Sequence, residues 1–137
     1  MKKSLRWLPA ILCMVIIFTL SHQPGDELNT WMPFFQKWFP AMQSFDWGHF
    51  VAYFVLCAAF YWAMPQSISH WKAKLAAIAL SVLFGLTDEF HQHFIEGRMS
   101  DVKDLRNDAI GAAAAMLLLS APPLHRLFQR ARNTINY

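Results

Sequence analysis

Four nearly uncharged apolar runs divide this chain, at residues 5–20, 50–64, 75–90 and 109–121. The charged residues gather between and beyond them, at 2–6, 26–37, 70–74, 88–108 and 125–132. Charged residues make up 15% of the sequence, against roughly a quarter in a soluble domain. The deficit lies in the runs, so lipid is the solvent that suits most of the chain. In lipid every backbone polar group must be paired within the segment, which leaves helices as the spanning form for runs of this kind. Each run is shorter than the ~20 residues that cross a bilayer core. The helices must therefore extend into their polar flanks, and those flanks then face other helices rather than lipid.

The sequence predicts an all-α, polytopic membrane protein, a single domain over residues 1–137. Four transmembrane helices are expected at about 5–22, 46–64, 73–93 and 104–121, followed by a basic tail at 122–137. Pro24, Pro40, Pro65 and the pair Pro122-Pro123 punctuate the ends, where helix breaking is cheap. Residues 1–6 and 7–20 also resemble the basic and apolar parts of a signal peptide, but no small-x-small cleavage site follows, so the first helix is expected to be retained. In the first external loop Trp31, Phe34, Phe35, Trp38 and Phe39 recur at helical spacing. Asn29 or Thr30 can cap such a helix and Pro33 fits its first turn. That spacing predicts a short amphipathic helix on the membrane surface, or a lid over the bundle.

Four spans place Lys2, Lys3, Arg6, Lys72, Lys74, Arg126, Arg130 and Arg132 on one side. The positive-inside rule makes that side the cytoplasm and puts both termini there, in the cytoplasmic (inner) membrane of a bacterium. The net charge of +3 does not indicate nucleic acid, because the cations flank apolar runs as membrane topology requires. Cys13 and Cys57 lie inside apolar runs and form neither a metal motif nor a disulfide framework.

The same topology collects the remaining polar residues at the outer surface. His49 and Tyr53 share a helix face, as do Asp88 and Gln92, Glu89 and Gln92, and the series Asp104, Asp108, Gly111. The run 111–115, Gly-Ala-Ala-Ala-Ala, lets another helix approach closely and could serve a homo-oligomer. A carboxylate in a membrane costs ~2.5–3.5 kcal/mol at the bilayer centre and less near the surface. A recessed Asp88 or Glu89 therefore needs a partner, for which His49, His91, Arg98 and Arg106 are the candidates. Plainer readings stand beside this one. Asp101 suits a helix N-cap, and His22, His70, His93 and His125 suit solvated or interfacial positions. Glu96 and Lys103 read as surface charges. Asp88, Glu89, His49, Arg98 and Asp104 could form an ion-pair network that only specifies packing.

These residues also carry a resemblance. Ser21-x-Gln23-Pro24-Gly25, Asp46-Trp-Gly-His49-x-x-x-Tyr53, Asp88-Glu89-Phe-His-Gln92 with Gly97-Arg98, and Asp104-x-x-x-Asp108-x-x-Gly111 resemble, in order and spacing, the motifs of the VanZ-like family. The resemblance covers about residues 7–119. It implies a four-helix bacterial membrane protein. It also implies a ligand site built from Gln23, Asp46, His49, Tyr53, Asp88, Glu89, Gln92, Arg98, Asp104 and Asp108. The family takes its name from a component of glycopeptide-resistance clusters linked to teicoplanin tolerance. Two departures stand out: Trp47 replaces the usual lysine, and Asp108 stands where asparagine is common.

Three functions fit. The first is binding of an amphiphile, such as a membrane phospholipid, a lipid-linked envelope precursor or a lipoglycopeptide, with Arg98 taking its phosphate or carboxylate. The second is an enzyme acting on a lipid-linked head group, with Asp88, Glu89, His49 and Asp104 as catalytic candidates. A divalent metal would be its cofactor, with His49, Asp88, Glu89, His91 and Asp104 as candidate ligands. The third is a structural subunit or a very small transporter.

Overall fold

The computed structural model describes residues 3–24, 30, 33–34, 36–37, 40, 46–97 and 101–134. Every regular element among them is helical. A 3-10 turn at Lys3–Trp7 leads into α1 (Leu8–Ser21). Next come α2 (Asp46–Ala63), α3 (His70–Gln92), α4 (Val102–Leu118) and α5 (Pro122–Thr134). The aromatic helix expected around residues 31–39 falls largely outside the described residues.

The stretch after residue 121, expected as a tail, is a helix. Its two prolines stand at the first helical positions, where a missing N–H costs nothing and the fixed φ suits the turn. They end α4 and start α5, which departs from α4 at 90°.

By length and apolarity, the segment Ser4–Ser21 is long enough to cross a membrane. The bent pair α4 and α5 qualifies only if counted as a single span, and the Trp47–Ala63 part of α2 is apolar but shorter. Burial carries more information than length here. Ile11, Leu12 and Val15 of α1 are exposed, as are Val51 and Val55 of α2, Leu75, Leu83 and Leu86 of α3, and Ile110, Leu117 and Leu118 of α4. Inside are Tyr53, Leu56, Phe60, Tyr61 and Met64, the small residues Ala10, Ala73, Ala77, Ala112 and Ala115, and the polar Ser81, Asp88, Gln92 and Asp108. A water-soluble monomer rarely leaves an apolar surface of that extent. An apolar exterior with small and polar residues at the helix contacts suits a lipid surround, which supplies no hydrophobic drive between helices.

The closest approach is between α2 and α4. A Cβ on Gly111 would collide with the Phe50 carbonyl oxygen and lie 3.1 Å from its carbon. Only glycine lets the two backbones meet at this depth. The helices alternate in direction, so the molecule has two poles. One holds the end of α1, the start of α2, the end of α3 and the start of α4, tied by Ser21 to Asp88 and His49 to Asp108. The other is tied by Lys74 to Ser120 and Arg132 to the Met64 carbonyl. Among the described side chains, Asp88, Glu89, Glu96, Asp101, Asp104 and Asp108 are all at the first, acidic pole. Arg6, Lys72, Lys74, Arg126, Arg130 and Arg132 are at the second, basic pole.

Candidate functional site

Near the start of α2, His49 and Tyr53 stack one turn apart, with ring planes 9° from parallel and centroids 6.3 Å apart. The His49 Nδ1–H donates to Asp108 Oδ1 of α4 at 2.9 Å. Its Nε2 lies 4.0 Å from Asp104 Oδ2, one turn earlier on the same helix. The i, i+4 spacing of Asp104 and Asp108 thus sets the two carboxylates against the two ring nitrogens. Asp108 is 0% exposed. Its second oxygen, Oδ2, finds no hydrogen-bond partner among the described residues. It points at Gly85 of α3, where an added Cβ would come within 2.8 Å of it. A buried acceptor left without a partner is expensive. The Tyr53 hydroxyl is buried beside it and faces the carboxylates of Asp108, Asp88 and Glu89.

Asp88 on α3 forms the other half of the cluster. Its Oδ2 accepts from Ser21 Oγ at 2.8 Å and from Gln92 Nε2 at 3.2 Å. Gln92 also reaches the Ser21 hydroxyl at 3.3 Å. These bonds join the ends of α1 and α3, while Asp88 Oδ1 has no described partner. The neighbouring Glu89 accepts the Asp101 backbone N–H at 3.1 Å, which ties α3 to the entry of α4. Asp101 caps that helix by accepting the Lys103 N–H at 2.9 Å, as its sequence position predicts.

The structure gathers the expected residues unevenly. His49, Tyr53, Asp88, Glu89, Gln92, Asp104 and Asp108 converge. Gln23 instead donates to the Thr19 carbonyl of its own helix at 3.4 Å. His91 turns toward α1, stacked on Phe18 at 4.3 Å and 3.2 Å from His22 Nδ1. Arg106 donates to Asn107 at 3.4 Å. Arg98 and the Asp46 side chain lie outside the described residues, although the preceding Gly97 turns with φ 73°, a conformation glycine adopts freely. Gly85, a space kept open for a carboxylate oxygen, escapes the sequence reading of the site. Ser21 stands there in a motif but not among the ligand-site residues, and its hydroxyl takes part through Asp88.

His49, Glu89 and Asp108 each offer a ligand atom, all within 4.8 Å of one another. An imidazole with two carboxylates suits a divalent cation. This set keeps two of the expected metal ligands, His49 and Glu89, and adds Asp108, while Asp88, His91 and Asp104 stand outside it. Removing the Ser21 hydroxyl is expected to destabilise the fold by about 1–3 kcal/mol, because Asp88 then loses a donor in a buried position. The thermal midpoint of Ser21→Ala in detergent measures this, and an unchanged midpoint would mean that Gln92 alone satisfies the carboxylate.

A family model described as VanZ/LLP1 matches residues 6–126. No curated protein and no solved structure matches the chain.

Proposed function

The chain belongs to the VanZ/LLP1 family, and we propose that it is a four-span bacterial membrane protein whose acidic pole binds an envelope amphiphile through a divalent cation held by His49, Glu89 and Asp108. The observation that carries this reading is their convergence from three helices, beside a buried Asp108 oxygen that lacks a described partner. Asp88, Glu89, Asp104 and Asp108 together would repel a phosphate or carboxylate head group. A bound cation reverses that sign locally, being the largest charge in such a site. The apolar surface beside the pocket would receive the acyl or prenyl portion. The family's link to glycopeptide resistance makes a lipoglycopeptide such as teicoplanin, or the lipid-linked envelope precursor it threatens, the ligand class to test first. Arg98, on the segment after Gly97, is a second candidate for the head group.

The test is protein purified in mild detergent without chelator, analysed for metal and by native mass spectrometry. A stoichiometric divalent ion and a co-purified lipid are expected, both lost from His49→Ala and after EDTA. Lipid retained in the absence of metal would sink the cation's role. Absence of both would leave the cluster as a packing network.

An enzymatic reading has one observation in its favour. The His49–Asp108 pair at 2.9 Å is a carboxylate-oriented imidazole able to move a proton. Turnover of a lipid-linked head group, absent in His49→Ala, would promote binding to catalysis.

The orientation follows from the charge of the two poles. The basic pole would face the cytoplasm by the positive-inside rule, with the acidic pole outside. In a cysteine-free background, Glu96→Cys and Lys103→Cys are expected to react with an impermeant thiol reagent in intact cells. Lys72→Cys and Arg130→Cys should react only after permeabilisation. Labelling of position 130 in intact cells would refute four spans with this orientation.

A further inference from the structure

Three donors at the acidic pole decide which ion it can hold. They are one imidazole and two carboxylates, from His49 on α2, Glu89 on α3 and Asp108 on α4, each offering an atom within 4.8 Å of the others. Ca2+ takes about six to eight oxygens, and Mg2+ keeps several waters in an octahedral shell. Neither favours an imidazole. Asp108 and Glu89 are both buried, which leaves little room for such a shell. A mixed set of nitrogen and oxygen donors suits first-row transition ions, and among these Zn2+ is content with few ligands held at short range.

The surroundings of His49 are those of a metal ligand. A histidine that binds an ion through one nitrogen almost always sets its other N–H against a carboxylate, a carbonyl or water, which fixes the tautomer and the angle of the ring. His49 has a carboxylate at each nitrogen. Asp108 Oδ1 lies 2.9 Å from Nδ1, and Asp104 Oδ2 lies 4.0 Å from Nε2. Tyr53, stacked one turn along with its ring 9° from parallel, steadies the imidazole between them. With an ion at Nδ1, Asp108 becomes a ligand beside it, and the ring's proton sits on Nε2, facing Asp104. Asp104 stands outside the ligand set, and this gives it a part as the residue that orients the imidazole.

The number of donors carries a second consequence. Structural sites for Zn2+ are closed by four protein ligands, whereas sites that engage a further molecule keep three and leave a position open. Among the described residues three converge here. Asp88 is turned instead to Ser21 and Gln92. Asp108 Oδ2, fully buried and without a described partner, is a donor atom with capacity to spare.

Given the cation reading above, we propose that the acidic pole is a first-row transition-ion site of the Zn2+ class. His49 Nδ1, Glu89 and Asp108 bind the ion, Asp104 is the positioning residue for the imidazole, and an open position takes a phosphate or carboxylate oxygen of the amphiphile.

The test uses the full chain in mild detergent, stripped with EDTA, dialysed, and titrated in turn with Zn2+, Co2+, Ca2+ and Mg2+. Zn2+ is expected to bind about a hundredfold more tightly than Ca2+ or Mg2+, with Co2+ between them. The Co2+ form should show the strong visible bands of a four- or five-coordinate ion. Inorganic phosphate should shift those bands, and dodecyl phosphate should shift them at a lower concentration. Asp104→Asn should weaken Zn2+ about tenfold and leave the Co2+ bands in place, because it removes an orienting group and not a ligand. Tighter binding of Ca2+ or Mg2+ by the wild-type chain would overturn the ion class while leaving a cation at this pole, whether or not the variant folds. No ion bound at all would sink the ion class and the cation together. Weak bands of a six-coordinate ion, or bands that neither phosphate moves, would remove the open position. A shift with inorganic phosphate at the lower concentration would make free phosphate its occupant in place of the amphiphile. Undiminished Zn2+ affinity in Asp104→Asn, or displaced bands, would take Asp104 out of the orienting role.

Discussion

A Gly111→Val chain is expected to melt far below the wild-type chain. The Cβ alone would collide with the Phe50 carbonyl of α2, and backbone cannot rotate aside as a side chain can. Valine adds two methyl groups to that collision. Overpacking of this kind costs about 3 kcal/mol, which lowers the folded-to-unfolded ratio roughly a hundredfold. Ala114, on the exposed side of the same helix, is the control, and Ala114→Val should behave as wild type. The readout is the thermal midpoint in detergent, followed by size-exclusion chromatography of fluorescent fusions. Equal midpoints for the two variants would show that α2 and α4 do not meet at Gly111. The consequence extends beyond stability. His49 on α2 and Asp108 on α4 flank this crossing, so a wedge at Gly111 should also part the 2.9 Å pair.

The all-helical class is legible in the sequence because apolar runs bounded by charge clusters leave the chain few alternatives. How many helices cross a membrane is less legible, because α2 and α4 are short for a span. Which way each faces comes from the structure, where Asp108 is buried while Val51, Val55, Ile110 and Leu117 are turned outward. The start of α5 is hidden for a related reason. Pro122-Pro123 reads as a stop, although proline both ends one helix and opens the next.

Within the site, spacing along a single helix is readable and pairing between helices is not. The i, i+4 relations of His49 to Tyr53, Asp88 to Gln92 and Asp104 to Asp108 can be counted along the chain. That Asp108 rather than Asp88 would join His49 and Glu89 depends on the rotation of α4 against α2, which Gly111 and Gly85 set by what they leave out. Ser21 opens the Ser21-x-Gln23-Pro24-Gly25 motif, but its bond to Asp88 spans 67 residues and cannot be counted along the chain.

The Asp108→Asn variant is expected to separate a cation site from a packing network. Asparagine has the same shape, and its carbonyl oxygen can still accept the His49 Nδ1–H, so the fold should survive with a small change in thermal midpoint. It also matches the residue common in the resembling family. A network that only holds helices together would register little, since hydrogen bonding is kept and a buried charge is removed, a change that is often neutral or stabilising. A cation site would register much more. An amide oxygen remains a ligand for a hard cation, but one negative charge is gone, and affinity follows ligand charge. Metal titration of the purified chain should show a loss on the order of tenfold for Asp108→Asn. Asp108→Leu, which removes the donor atom altogether, should abolish binding. Unchanged metal affinity in both variants would place the cation elsewhere or nowhere. A raised thermal midpoint with no metal bound to either chain would make the cluster a purely structural one.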